Sequence, residues 1–214
     1  MSYTFAIGDI HGCIDPLKRL LANIAAYASG GTVVFLGDYV DRGPDSRSVV
    51  ERLISGPPSS SWKWIALKGN HEDMMVGVHA GQCDQSWWLA NGGLKTIQSY
   101  ENEIPEWHLE WAHSLPLMHM DEHRIFVHAG VREGAYLEDQ TPKDLLWTRV
   151  PDDYSSTYWG KHLCHGHTPS HQNPLTVGNR TNVDSACVFG GKLSCAVFDD
   201  SVPGGPIAFL DVKA

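Results

Sequence analysis

The chain has 214 residues, of which 42% are hydrophobic and 19% charged, a composition that can bury a large core and rules out disorder as the main state. Sixteen Lys and Arg against twenty-five Asp and Glu leave a formal charge of -9, a field that repels a phosphate backbone and argues against nonspecific nucleic-acid binding. Five cysteines (Cys13, Cys83, Cys164, Cys187, Cys195), odd in number and without a CxxC pair, argue against a disulfide framework and a zinc ribbon.

At about 150 residues per domain, one domain spanning 1–214 is expected. Residues 1–5 carry neither a charged n-region nor a long apolar core, and no run of about 18 apolar residues follows, so no membrane partner is expected and the cytoplasm is the expected compartment. Residues 3–7 read as a buried strand. A helix over 16–27 follows, with Leu17, Leu20, Leu21 and Ile24 on one stripe, Asp15 in the N-cap position and Pro16 opening the helix. A second strand over 32–36, a helix over 46–54 and a third strand over 62–67 continue a strand–helix–strand alternation that puts the strand carboxyl ends on one rim. The stretch from about 72 to 114 lacks strand signals and reads as a helical insert broken at Gly92-Gly93 and Pro105. Strands return at 117–120 and 124–127 as a hairpin, then at 161–164, 175–177, 192–198 and 207–212. The last two join through Pro203-Gly204-Gly205. The fold class is therefore α/β, of the α+β kind.

Five polar clusters stand where strands end: Gly8-Asp9-Ile10-His11-Gly12, Gly37-Asp38-Tyr39-Val40-Asp41-Arg42-Gly43, Gly69-Asn70-His71-Glu72, His128-Ala129-Gly130 and His165-Gly166-His167-Thr168. Asp9 and His11 are two apart in an extended segment, so both can grip one cation. Asp38, Asn70, His128 and His167 add oxygen and imidazole donors and no thiolate. Six such donors suit two borderline divalent ions such as Mn, Fe or Zn sharing a carboxylate, rather than one structural zinc. Asp and Asn beside Gly are often mere turn formers, but five repetitions at strand ends are not explained that way.

The ordered motifs GDIHG, GDYVDRG, GNHE, HAG and GHT, over residues 8–168, resemble the PPP metallophosphatases, especially their short bacterial and phage-type Ser/Thr protein phosphatases, within the calcineurin-like metallophosphoesterases. The tail 186–198 is similar to that family's closing strands. The resemblance implies a central β-sandwich flanked by helices. It implies one metal on Asp9, His11 and Asp38 and a second on Asp38, Asn70, His128 and His167, with Asp38 bridging and Mn the first choice of ion. It also implies that His71 is the general acid, Asp41 its orienter, and Arg42 and, on a shorter motif, Arg149 the phosphate-binding arginines. Direct in-line attack by hydroxide held between the ions follows, with no protein nucleophile.

Three functions share these residues. A phosphoprotein phosphatase acting on phosphoserine or phosphothreonine, with phosphotyrosine as a further candidate, is weighed first because Asp41 stands where the diadenosine tetraphosphate hydrolases carry a motif resembling GDLVNRG. The dinucleoside polyphosphate hydrolase is the alternative, and a noncatalytic phosphate-binding module comes third. The substrate is thus a phosphorylated protein or a small phosphoester. His165 reads as a partner or packing group, and Trp87, Trp88, Trp107 and Trp111 as core packing before a substrate groove. Asp184, in Asn182-Val183-Asp184-Ser185, resembles a segment of related phosphatases and is assigned no role. Arg132 and Arg180 are the substitutes should Arg149 prove structural.

Overall fold

A computed structural model describes residues 2–151 and 153–214. Strand β1 (Tyr3–Ile7) leads through helix α1 (Ile14–Tyr27) to β2 (Gly31–Phe35), and α2 (Ser46–Ile54) connects to β3 (Trp62–Ala66). Helices α3 (Asn70–His79), α4 (Gln85–Trp88), α5 (Leu94–Ser99) and α6 (Glu106–Ser114) then fill the stretch read as a helical insert. The chain returns through the hairpin β4 (Met118–Met120) and β5 (Arg124–Val127), helix α7 (Pro142–Trp147), and β6 (His162–His165), β7 (Leu175–Val177) and β8 (Arg180–Asn182). It closes on the hairpin β9 (Lys192–Asp199) and β10 (Ala208–Lys213).

The strands form two five-stranded sheets, ordered β10-β9-β1-β2-β3 and β4-β5-β6-β8-β7. In the first sheet β1 runs parallel to β2 and antiparallel to β9, pairing Ile7 with Phe35 on one side and with Cys195 on the other. In the second, β6 runs parallel to both β5 and β8. Side chains alternate faces along a strand, and β1 uses both. Phe5 and Ile7 pack outward with Leu17, Leu20, Val49 and Val50 of the flanking helices, whereas Ala6 turns inward with Val34, Leu36 and Ala196 onto Phe126, Cys164 and Val183. The facing alanines, Ala6 and Ala196, let Phe126 and Phe198 meet edge to face at 5.7 Å in the sandwich core. The expected sandwich flanked by helices is what the chain forms. No helix among the described residues is long and apolar enough to cross a membrane.

Three local expectations need correction. Cys13, not Asp15, is the N-cap of α1; Asp15 lies in the first turn, where its charge favours the positive end of the helix. Helix α7 was not anticipated, although Thr141 accepts from the Asp144 amide and Pro142 takes the first turn, a legible start signal. Strand β8 was also missed. Its residues, Arg180, Thr181 and Asn182, are all polar, yet all are buried.

Candidate active site

The candidate residues converge beyond the carboxyl ends of the parallel strands. Asp9 and His11 follow β1, Asp38, Asp41 and Arg42 follow β2, and Asn70 and His71 open α3 after β3. His128 follows β5 and His167 follows β6. Asp9, His11, Asp38, Asp41, Asn70, His71, His128 and His167 are all buried. Five of these nine, His11 (φ 45°), Asp38 (54°), Asp41 (71°), Arg42 (66°) and His167 (66°), adopt left-handed backbone. Such conformations cost non-glycine residues about 1–3 kcal/mol each and gather where geometry serves function. Gly166 shows the same crowding, since a Cβ there would collide with Asp9 Oδ1.

Hydrogen bonds from the far side of each ring set the tautomers. His11 Nδ1 donates to the Val40 carbonyl (2.7 Å) and His128 Nδ1 to the Leu36 carbonyl (2.9 Å), so both Nε2 atoms carry lone pairs. His11 Nε2 lies 3.4 Å from Asp38 Oδ2. His128 Nε2 lies 3.4 Å from Asp38 Oδ1, 2.8 Å from Asn70 Oδ1 and 3.2 Å from His167 Nδ1. Two groups able to hold a metal ion result, His11–Asp38–His71 and Asp38–His128–His167, and they share Asp38. Asp38 thus lies within reach of both groups. Asp9 is not in the first group: its carboxylate accepts the His167 amide (3.1 and 3.2 Å) and is hydrogen-bonded to Asp184.

Electrostatics test whether this donor set suits cations. Burial, then Asp184 and Asp38, hold the Asp9 carboxyl well above its usual value, and burial with Glu72 does the same to Asp38. Asp184 is pushed up to about 6 by burial. Burial also keeps His11, His71 and His128 well below the usual imidazole value, and His167 falls to about 4 through burial, Arg149 and Arg42. Mutually repelling carboxylates and neutral imidazoles are short of positive charge, and a divalent ion supplies it. The buried Nε2 atoms of His71 and His167 have no hydrogen-bond partner, which fits the same reading. A cation is already drawn in, as Arg42 Nη1 donates to His11 Nε2 at 2.5 Å.

A second network surrounds Asp41. Its carboxylate accepts His71 Nδ1 (2.6 Å), Trp88 Nε1 (2.9 Å) and Thr96 Oγ1 (2.6 Å). Burial raises Asp41 to about 7 against those hydrogen bonds from Thr96 and Trp88. Sequence reasoning missed Thr96 and Trp88, because nothing in the spacing ties α4 and α5 to residue 41. It also left Glu72 without a role. The Glu72 carboxylate accepts the amides of Asp38 (2.9 Å), Tyr39 (2.7 Å), Val40 (3.2 Å) and Gly69 (2.9 Å) and so fixes the loop that carries Asp38.

Arg149 follows α7 and is exposed at a cavity of about 260 Å³, whose lining also includes Asp38, Arg42, Asn70, Trp147 and His167. The two substitutes are committed elsewhere. Arg132 is bound to Asp144 and the Asp139 carbonyl, and Arg180 to the carbonyls of Pro151 and Tyr154. His165 donates Nδ1 to the Gly166 carbonyl and accepts Arg180 Nη1 at 2.9 Å, a packing partner as read. The tryptophans divide. Trp88 is buried, while Trp87 and Trp107 are half exposed.

The family description "Calcineurin-like phosphoesterase" matches residues 4–197. Among curated relatives, the asymmetrical bis(5'-nucleosyl)-tetraphosphatase PrpE of Oceanobacillus iheyensis is 27% identical over 226 residues, covering 91% of this chain and 88% of its own. A crystallised candidate diadenosine tetraphosphatase superposes with a TM-score of 0.68 at 23% identity, over 99% of this chain and 93% of that one. A cold-active protein tyrosine phosphatase gives 0.69 at 17%, over 93% and 74%. At these identities the two solved structures speak for the fold alone.

Proposed function

The chain belongs to the calcineurin-like phosphoesterase family and is thereby a metal-dependent phosphoester hydrolase, for which we propose a substrate of the bis(5'-nucleosyl) tetraphosphate class, cleaved asymmetrically. The observation that carries this reading is the name shared by the curated relatives, which span about nine-tenths of this chain.

The same names overturn the phosphoprotein phosphatase that the motifs led us to expect. That expectation rested on Asp41 as a mark of substrate. In the structure Asp41 accepts from the His71 ring, a contact made inside the protein whichever phosphate compound is bound. Its presence therefore does not discriminate between substrates.

Family membership implies a dinuclear divalent centre, and the donor set fits one. In our reading Asp9, His11 and Asp38 hold one ion, Asp38, Asn70, His128 and His167 the other, and manganese is the ion. Bound ions supply Lewis acidity toward the phosphoryl oxygens and the attacking water. The chain's own groups do the rest. Arg42 and Arg149, both on the cavity wall, present planar donors to the equatorial oxygens as charge gathers there. His71, its Nδ1 held by Asp41, turns Nε2 toward the departing oxygen and acts as the acid when the His71–Asp41 pair holds one proton more than the neutral ring and the carboxylate together.

A substrate panel on the manganese-loaded protein tests the reading. Diadenosine tetraphosphate is expected to give ATP and AMP, with kcat/KM at least tenfold above that for phosphoserine peptides. The reverse order, or ADP as sole product, would overturn it. The arginine clamp has its own test. Arg149→Lys and Arg149→Ala are both expected to raise KM and lower kcat/KM, because an ammonium cannot copy a two-donor fork. Metal content and thermal stability should stay near wild type, as the residue is exposed. Unchanged phosphate affinity in both variants would make Arg149 a structural residue.

A further inference from the structure

A second cavity, of about 370 Å³, lies beside the first and shares Trp147 as a wall; Asp73, Trp87, Pro142, Lys143 and Leu146 complete it. Its size and mainly apolar walls with a few polar groups suit a small-molecule site. Trp147 links the two spaces, because it also meets the His167 ring edge to face, with centroids 6.1 Å apart at 80°. On its other side Trp147 lies 6.2 Å from Trp87 at 42°. Trp87 is 51% exposed, immediately before Trp88, whose indole is spent on Asp41.

We propose that this groove is the subsite for one nucleoside of the substrate, with its base stacked on Trp87; the inference rests on the dinucleoside polyphosphate reading above. An exposed indole beside a catalytic cavity is a stacking platform for any base. The positive charge runs the right way for a nucleotide. Lys143 lines the groove, and Arg149 and Arg42 line the neighbouring cavity, so a phosphate chain leaving the groove meets cations on a molecule whose total charge is -9. Asp73 offers acceptors to ribose hydroxyls or an exocyclic amine. One short segment, α7 with the residues after it, thus supplies Lys143, Leu146, Trp147 and Arg149 to both spaces.

The test compares ligands with and without a base on Trp87→Ala and Trp87→Phe. In the Ala variant, KM for diadenosine tetraphosphate and the inhibition constant of AMP against p-nitrophenyl phosphate should rise about 5- to 150-fold, the range of one lost base stack. Inhibition by inorganic phosphate and turnover of p-nitrophenyl phosphate should not change. The Phe variant should recover most of the loss. AMP and phosphate affected equally, or neither affected, would overturn the subsite. A wild type that ignores diadenosine tetraphosphate but still binds AMP through Trp87 would overturn the substrate reading and leave the subsite standing.

Discussion

Treatment with EDTA is expected to abolish hydrolysis of p-nitrophenyl phosphate, and added manganese to restore it. Two cation-competent groups share Asp38, and the imidazole lone pairs of His11 and His128 are fixed toward them by backbone carbonyls. No cysteine stands in their place. All five are free thiols, and Cys164 and Cys195 are buried in apolar surroundings that push their pKa up, away from the reactive thiolate. Activity that survived chelation and died with a thiol alkylator would sink the assignment.

Replacing His71 by Asn should have the next largest effect, and its size should depend on the leaving group. Phenol, with a pKa of about 10, departs poorly without a proton, so kcat for phenyl phosphate should fall about 10²- to 10⁴-fold, the usual worth of general acid catalysis. Nitrophenolate is a weak base and should show a much smaller loss. A nucleotide leaves as a phosphate whose second pKa is about 6, so diadenosine tetraphosphate should resemble nitrophenyl phosphate. Metal content must stay at the wild-type level, which is the critical control, because His71 Nε2 is only 3.8 Å from Asp38 Oδ2. Equal losses on all three substrates, or loss of metal, would show that His71 is a ligand and not the acid.

The parts of the site that could be read from sequence are those whose chemistry demands particular residue types at strand ends. Asp9, His11, Asp38, Asn70 and His167 stand beside glycines, and His128 two before one, because the backbone there turns sharply, as the left-handed His11, Asp38 and His167 show. What could not be read are partners supplied from afar. Thr96 and Trp88 reach Asp41 from 55 and 47 residues away, and an indole or hydroxyl on a short helix carries no mark of its target. Strand β8 was hidden for another reason. Its polar side chains are buried because they are used, Arg180 on carbonyls and on His165, and Asn182 on the Thr168 carbonyl, and hydrophobic patterning cannot see burial of that kind. The substrate was hidden too. It is decided outside the metal core, in walls such as the groove at Trp87.

The placing of β1 between β2 and β9 also sets an order of events. Pairing with β2 closes a short loop through α1, whereas pairing with β9 must wait for nearly the whole chain, including the second sheet. Distant pairings carry the larger closure entropy and tend to form late. Asp9, His11 and Asp38 follow the early pair β1 and β2, whereas His128 and His167 follow strands of the other sheet, so the donors of the Asp38–His128–His167 group meet only when both sheets are in place. An ion at that second group would therefore join the two sheets after they have met, and would act as a clasp on the sandwich rather than as its nucleus.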